Sequence, residues 1–389
     1  MRKVALNALG LVVAAIVALG LVVLSSASEE SSINVASDAY YYFKRQAVFL
    51  AAGVTLCLLV ARFDYRNLRD VPFLTWTSYA VVVVLLWTVF AFPAIKGSHR
   101  WIPLGPVRLQ PGELAKIMTV IATAVWLDRQ GWRIELFSRG AFWPACIIGG
   151  LALPVVLAPD FGSVMVIGAA GLLIMFLSGT RVLHLIPIGL GGCALVVWKI
   201  VNNANRMARI AAFLGIQIDF AAGGRINDKA AEDAAYQGIQ ALIAMSRGGL
   251  WGEGLNQSLQ KYSYLPEAHT DMIFAIGAEE LGLIFSICVF MLFVLFFVIS
   301  VYIAKHAADR FGRFLAFGMA FIIFFQAMFN IGVVCGALPM KGMALPFFSY
   351  GGTNVISSFI AIGLIFSVGL HSEREKERVL ARCLRMARG

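Results

Sequence analysis

The chain has 389 residues, 60% of them hydrophobic and only 14% charged, with a formal net charge of +10. A soluble domain of this size carries nearly twice that share of charge. The balance excludes an ordinary globular enzyme, because unbroken apolar runs of about 18 residues or more recur along the chain and mark membrane helices. In lipid the backbone must satisfy its own hydrogen bonds, so those runs are helical.

In chain order the expected spans are 4–24, 46–61, 71–92, 110–127, 141–158, 161–178, 183–201, 272–300, 314–335 and 353–370. The first could be mistaken for a secretory signal, with Arg2 and Lys3 ahead of it and Ser26-Ala27-Ser28 behind. Val4 to Leu24 is longer than the roughly 7–15 residues of a cleavable core, so an uncleaved span is expected. Residues 141–178 are interrupted by Pro159-Asp160. As one helix that run would reach about 57 Å, against a hydrocarbon core of about 30 Å, so it is two spans joined by a turn. Asp160 at that turn fits an N-cap of the following helix.

Lysine and arginine set the orientation. With the N-terminus inside, the inner segments and the tail hold 18 of the 32 basic residues, which makes both termini cytoplasmic. The expected fold is therefore all-α and polytopic, one transmembrane domain over 1–370 with about ten spans. A large outer loop covers about 202–271, and a basic tail over 371–389 reads as a solvated helix at the inner surface, in reach of anionic membrane lipid. Gly238 to Met245 is too short to cross and is expected as a short interfacial or re-entrant helix. The six cysteines are scattered without a CxxC or Cys/His cluster and read as small core residues. There is no internal repeat of the kind that marks many transporters.

Polar residues in or beside spans need individual reasons. Glu113 and Lys116, at i, i+3, share one helix face and can pair, either as a structural salt bridge or as the wall of a substrate cavity. Gln326 and Asn330 fit interhelical hydrogen bonds. Lys44, Arg45, Lys96, Arg100 and Arg108 fall in short outer segments where few cations are expected. They are either ordinary solvated charges or partners for an anionic lipid head group, a diphosphate above all. The stretch Leu265-Pro266-Glu267-Ala268-His269-Thr270-Asp271 runs straight into the eighth span. Asp271 is there an N-cap, a general base, or both; spacing alone leaves this open, and Glu267, His269 and Asp271 make only a nonspecific metal pattern.

These segments together resemble the SEDS family (shape, elongation, division and sporulation), the FtsW and RodA type glycosyltransferases. The likeness rests on Lys44-Arg45-Gln46, Arg100-Trp101-Ile102, Gln110 to Lys116, Pro159 to Ser163, Tyr236-Gln237, Leu265 to Asp271, Glu279-Glu280-Leu281-Gly282, Leu338-Pro339, Lys341-Gly342, Leu345-Pro346 and Ser349 to Gly352, in order along the chain. It implies polymerisation of lipid II into β-1,4-linked glycan strands at the outer face of a bacterial inner membrane, with release of undecaprenyl diphosphate. Asp271 is then the catalytic carboxylate, and Arg45, Glu113, Lys116 and Asp160 belong to the functional polar cavity. Arg100, His269 and Ser349, in the matched motifs, complete the expected substrate-binding set. A divalent cation, Mg or Mn, could share the charge stabilisation, but the sequence offers no convincing ligand set. Expected partners are a class B penicillin-binding transpeptidase and other division or elongation membrane proteins, with no nucleic acid. The chain departs from the family at Gly112, where serine is usual, and across about 215–233. Its wording is nearer the division branch than the elongation branch. The competing functions are a lipid II flippase and a division scaffold without chemistry.

Overall fold

A computed structural model describes residues 2–94, 98–105, 107–214, 228–262, 265 and 269–386. Lys96 and Glu267 lie outside the described residues. Helix α1 (Arg2–Ala27) leads through the short α2 (Glu29–Ala36) to α3 (Tyr41–Arg62), then α4 (Arg66–Asp70) and α5 (Pro72–Thr88). A hairpin of β1 (Ile102–Leu104) and β2 (Val107–Leu109) follows, antiparallel with Ile102 opposite Leu109. After it come α6 (Pro111–Asp128), α7 (Trp143–Leu157), α8 (Phe161–Ser178), α9 (Val182–Val201), α10 (Ala204–Leu214) and α11 (Asp228–Gly248). The chain ends in α12 (Ile273–Lys305), α13 (Arg310–Val334) and α14 (Gly352–Met386). Among the described residues, nine helices are long and apolar enough to cross a membrane. The remaining expected span coincides with α6, which carries Glu113, Lys116 and Asp128.

Helix α6 can carry charge because it is enclosed. It packs against α5, α7, α8, α13 and α14, and 15 of its 18 residues are buried. Lipid therefore meets the apolar helices around it rather than its polar face. At the other extreme α9, at the edge beside α8 and α10, has no buried residue. Helix α3 lies along α14, and α12 lies between α1 and α13.

The outer segment is more structured than expected. Gly238 to Met245 is not a short helix but part of α11, 21 residues long. Its Ala241 and Ala244 are buried while Ile239 and Leu242 are exposed, and it packs on α12 and α10. The sequence hides this helix because its N-terminal half is polar and its small residues make contact by packing, without forming an apolar run.

The Glu279 to Gly282 motif anchors the same region. Helix α12 breaks at Gly282 (φ 77°), in the left-handed region that suits glycine. Chain 249–254 lies in the break: Leu283 N–H donates to Gly249 O (3.0 Å), and Glu253 and Gly254 N–H donate to the Glu279 and Glu280 carbonyls (both 3.0 Å). The buried Glu279 carboxylate accepts from the Ser258 hydroxyl and from the Leu259 (3.3 Å) and Gln260 (3.4 Å) amides. Glu280 accepts from Ser26 of α1, with the Lys261 ammonium 3.8 Å away.

Candidate active site

The turn 269–272 that opens α12 is held from beneath by segment 341–350. Tyr350 N–H donates to His269 O (3.0 Å), the Ser349 hydroxyl to Thr270 O (2.6 Å), and the Asn330 amide to Asp271 O (2.8 Å). Three successive carbonyls are thus taken by three donors of the facing elements. Asn330 also donates to Met343 O (2.6 Å), and the fully buried Ser349 hydroxyl accepts from Leu345 N–H (2.7 Å). Gln46 of α3 donates to Ser349 O (3.2 Å). His269 stacks on Tyr42 of α3 at 4.9 Å between centroids and 18° between planes. Burial pushes the Tyr350 phenol above its ordinary value, while nearby Arg45 and Arg108 pull it back.

Beside this turn lies a group of cations. Asp160 caps α8, its carboxylate accepting from Ser163 N–H (3.5 Å) and the Ser163 hydroxyl (2.7 Å), and from the Gln110 amide (3.2 Å). Burial raises its pKa, but Arg100 and Lys341, with the Ser163 hydroxyl and Lys116, outweigh that and hold it below the ordinary carboxylate value. Arg100 donates to Pro159 O while its Nε is buried without a partner among the described residues. Lys341 is partly exposed as a residue, yet its Nζ is sealed from solvent and makes no hydrogen bond among the described residues. Burial lowers its pKa to about 7, with Arg100, Arg206 and Arg209 repelling its charge and Asp160 opposing them. The Lys341 ammonium and the Arg206 guanidinium both lie over the Phe161 ring, at 5.3 and 4.2 Å from its centroid. A Cβ built on Gly162 would stand 3.6 Å from Lys341 Nζ, so this cation sits over the first turn of α8. Cations gathered at the positive end of a helix make a site for an anion.

A polar seam continues into the bundle. One helical turn from Asn330, Gln326 donates to Asn354 (3.0 Å) and Ala344 O (2.9 Å) and accepts from Lys116 (2.7 Å). Lys116 pairs with Glu113 at 2.7 Å, and Ser357 donates to Glu113 (3.2 Å). A small cavity is lined by Glu113, Lys116, Gln326, Ser357 and Ser358.

The FtsW/RodA/SpoVE family of cell cycle proteins matches residues 7–374. The chain belongs to this family. "Probable peptidoglycan glycosyltransferase FtsW" of Geobacter sulfurreducens is 34% identical over 368 residues, covering 92% of this chain and 93% of that protein. The protein of the same description from Nitrosococcus halophilus is 38% identical over 377 residues, covering 93% and 91%. Among solved structures, the rod shape determining protein RodA of Thermus thermophilus superimposes with a TM-score of 0.67 at 26% identity, over 94% of this chain and 96% of that one. A chain from a structure described as "Structural coordination of polymerization and crosslinking by a peptidoglycan synthase complex" does so with a TM-score of 0.73 at 26% identity, over 94% and 97%.

Within this FtsW/RodA-type chain, Asp271, His269, Ser349, Arg45, Arg100 and Asp160 all fall at one end of the bundle, with Glu113 and Lys116 deeper on the same seam. One expectation is corrected. The N-cap position of α12 is Met272, without a side-chain cap bond, and the Asp271 carboxylate lies instead against Gly342. The backbone fold of 269–272 is set by the three donors, so the helix needs no aspartate cap. Ser349 spends its hydroxyl on Leu345 and Thr270, which leaves it supporting the turn. Lys44 pairs with Asp38 at 2.8 Å in solvent, and Arg108 is exposed. Lys341, Arg206 and Gln110 carry no individual signal in the sequence; a lone lysine between two spans looks like a solvated loop charge. Among the described residues no three His, Cys, Asp or Glu side chains converge as metal ligands.

Proposed function

We propose that the chain polymerises lipid II into β-1,4-linked glycan strands, working on the outer face of a bacterial inner membrane. Asp271 accepts the proton of a sugar 4-hydroxyl as its oxygen attacks the anomeric carbon of the growing glycan. The bond from that carbon to the lipid diphosphate breaks with inversion, and undecaprenyl diphosphate leaves with the electron pair. Arg100, Lys341 and Arg206, over the N-terminus of α8, stabilise the leaving charge; preorganised charges of this kind are worth about 10²–10³-fold in turnover each. The observation that carries the reading is the placement of the Asp271 carboxylate against Gly342, the next residue along the chain from Lys341, whose Nζ makes no hydrogen bond among the described residues. The relatives described as FtsW support the chemistry, and the neighbour from a peptidoglycan synthase complex supports a penicillin-binding transpeptidase as partner.

The test is polymerisation of labelled lipid II by the purified protein with its transpeptidase. Asp271→Asn is expected to remain folded and to make no glycan, and substantial polymer from it overturns the assignment. A flippase would instead move lipid II across vesicles without polymer. Translocation that survives Asp271→Asn would favour that second reading.

A further inference from the structure

The Asp271 carboxylate rests in a slot made by the absence of a side chain. A Cβ built on Gly342 would overlap its Oδ2 and stand 3.2 Å from its Cγ. Gly342 does not have the positive φ that favours glycine, so its backbone admits alanine. The obstacle to a methyl group there is the carboxylate itself. Gly238 offers the contrast, because among the described residues its added Cβ would touch only Met340, at 3.5 and 3.6 Å. One buried side chain bridges the Asp271 and Met343 backbones on either side of the slot, since the two hydrogens of the Asn330 amide go to Asp271 O and Met343 O. Asn330 is 2% exposed and sits on α13, outside the turn and outside segment 341–350.

We infer that Gly342 and Asn330 are positioning residues for the reaction. Gly342 leaves the room in which the Asp271 carboxylate stands, and Asn330 clamps the backbone of the base to the backbone that carries Lys341. The inference rests on the reading of Asp271 as the base. Its physical content is that a general base must lie within hydrogen-bond reach of the proton it takes, and that a displacement of about 1 Å costs about 10²-fold. Added bulk at 342 displaces the carboxylate without removing it or any lipid contact. Loss of the Asn330 amide loosens the same relation from beneath.

The test is the lipid II polymerisation assay on the full chain with its transpeptidase, with kcat and KM determined separately and thermal unfolding measured on each variant. Gly342→Ala is expected to lower kcat about 10²-fold while leaving KM within about twofold. Asn330→Ala is expected to lower kcat with KM unchanged, and the double variant to be no worse than the poorer single, because both act on one carboxylate. Gly238→Ala serves as the control, with kcat unchanged. Wild-type kcat in Gly342→Ala, or a loss carried entirely by KM, overturns the inference. If Gly342→Ala unfolds at lower temperature, the Asn330→Ala kcat decides in its place. Asp271→Asn in the same assay separates the two readings. A dead Asp271→Asn beside a fully active Gly342→Ala removes the slot and leaves the base, whereas an active Asp271→Asn removes the base.

Discussion

Two lysines with sealed ammonium groups sit within the same polar seam, and their surroundings are opposite. Lys116 has a carboxylate and an amide oxygen at 2.7 Å each, from Glu113 and Gln326. Lys341 has no hydrogen-bond acceptor among the described residues, and the nearby Asp160 carboxylate is already engaged by Ser163 and Gln110. A buried charge that is fully partnered holds helices in register, while one left without a partner is costly unless a ligand supplies it. The difference predicts that Lys116 serves the fold and Lys341 the substrate, and it should appear as different failures when each is removed.

The largest expected effect is at the paired lysine. Lys116→Met leaves Glu113 as an uncompensated charge inside the bundle, a loss of about 3–5 kcal/mol of stability. Thermal unfolding in detergent should show a clear fall in midpoint. Charge reversal at either Glu113 or Lys116 should be harmful, and the double swap should partly restore both midpoint and activity. A swap that restores stability without activity would put one of the pair in contact with substrate. Lys341→Met should behave differently, with the midpoint unchanged or raised because no partner is orphaned. Its turnover should fall about 10²–10³-fold, the cost of removing one charge that stabilises the leaving group. Equal effects of the two substitutions on the midpoint would end the distinction.

The sequence carries one half of this comparison and hides the other. Glu113 and Lys116 are legible because i, i+3 spacing on a helix forces them onto one face, and the bonded pair is what the helix delivers. The spans are legible for a similar local reason, since lipid requires long apolar runs. Asp160 is legible as a cap because Pro159-Asp160 breaks a run too long for one helix. Lys341 is a different matter, because its isolation depends on Phe161, Arg206 and Gly162, which come from distant parts of the chain. Nothing local distinguishes it from a solvated lysine. Asp271 shows the same limit from another side. Local rules make it an N-cap, and only the tertiary placement of Gly342 and Asn330 gives its carboxylate another position. Helix α11 was hidden because it meets α12 and α10 through small residues such as Ala241 and Ala244, without an apolar run.

A smaller effect is expected where the two regions meet, at Ser349. Its hydroxyl accepts from Leu345 N–H and donates to Thr270 O. Ser349→Ala leaves a buried amide without its acceptor, a cost of about 1–3 kcal/mol. Because the Tyr350 and Asn330 donors remain, the turn should keep its shape, and turnover should fall less than in Gly342→Ala. A KM effect without loss of stability would instead make Ser349 a direct substrate contact.

The gentlest probe of the comparison is pH, since it changes the charge of Lys341 without changing a residue. Its pKa in the empty protein is lowered to about 7 from an ordinary value of 10.5. Between those values the unfolded chain holds the proton more firmly than the folded one, so stability should rise with pH across the window. The midpoint of the ligand-free protein should therefore climb between pH 7 and 9, and Lys341→Met should lose that part of the slope. Affinity for a short-chain prenyl diphosphate should move the other way. Only the protonated lysine attracts the anion, so each pH unit above about 7 weakens binding by up to about tenfold, or about 1.4 kcal/mol. Opposite slopes in the two measurements, both erased by Lys341→Met and neither by Ser349→Ala, would assign them to this ammonium. Diphosphate binding with a flat profile from pH 6 to 9 would place the anion elsewhere and leave Lys341 as an unexplained buried cation.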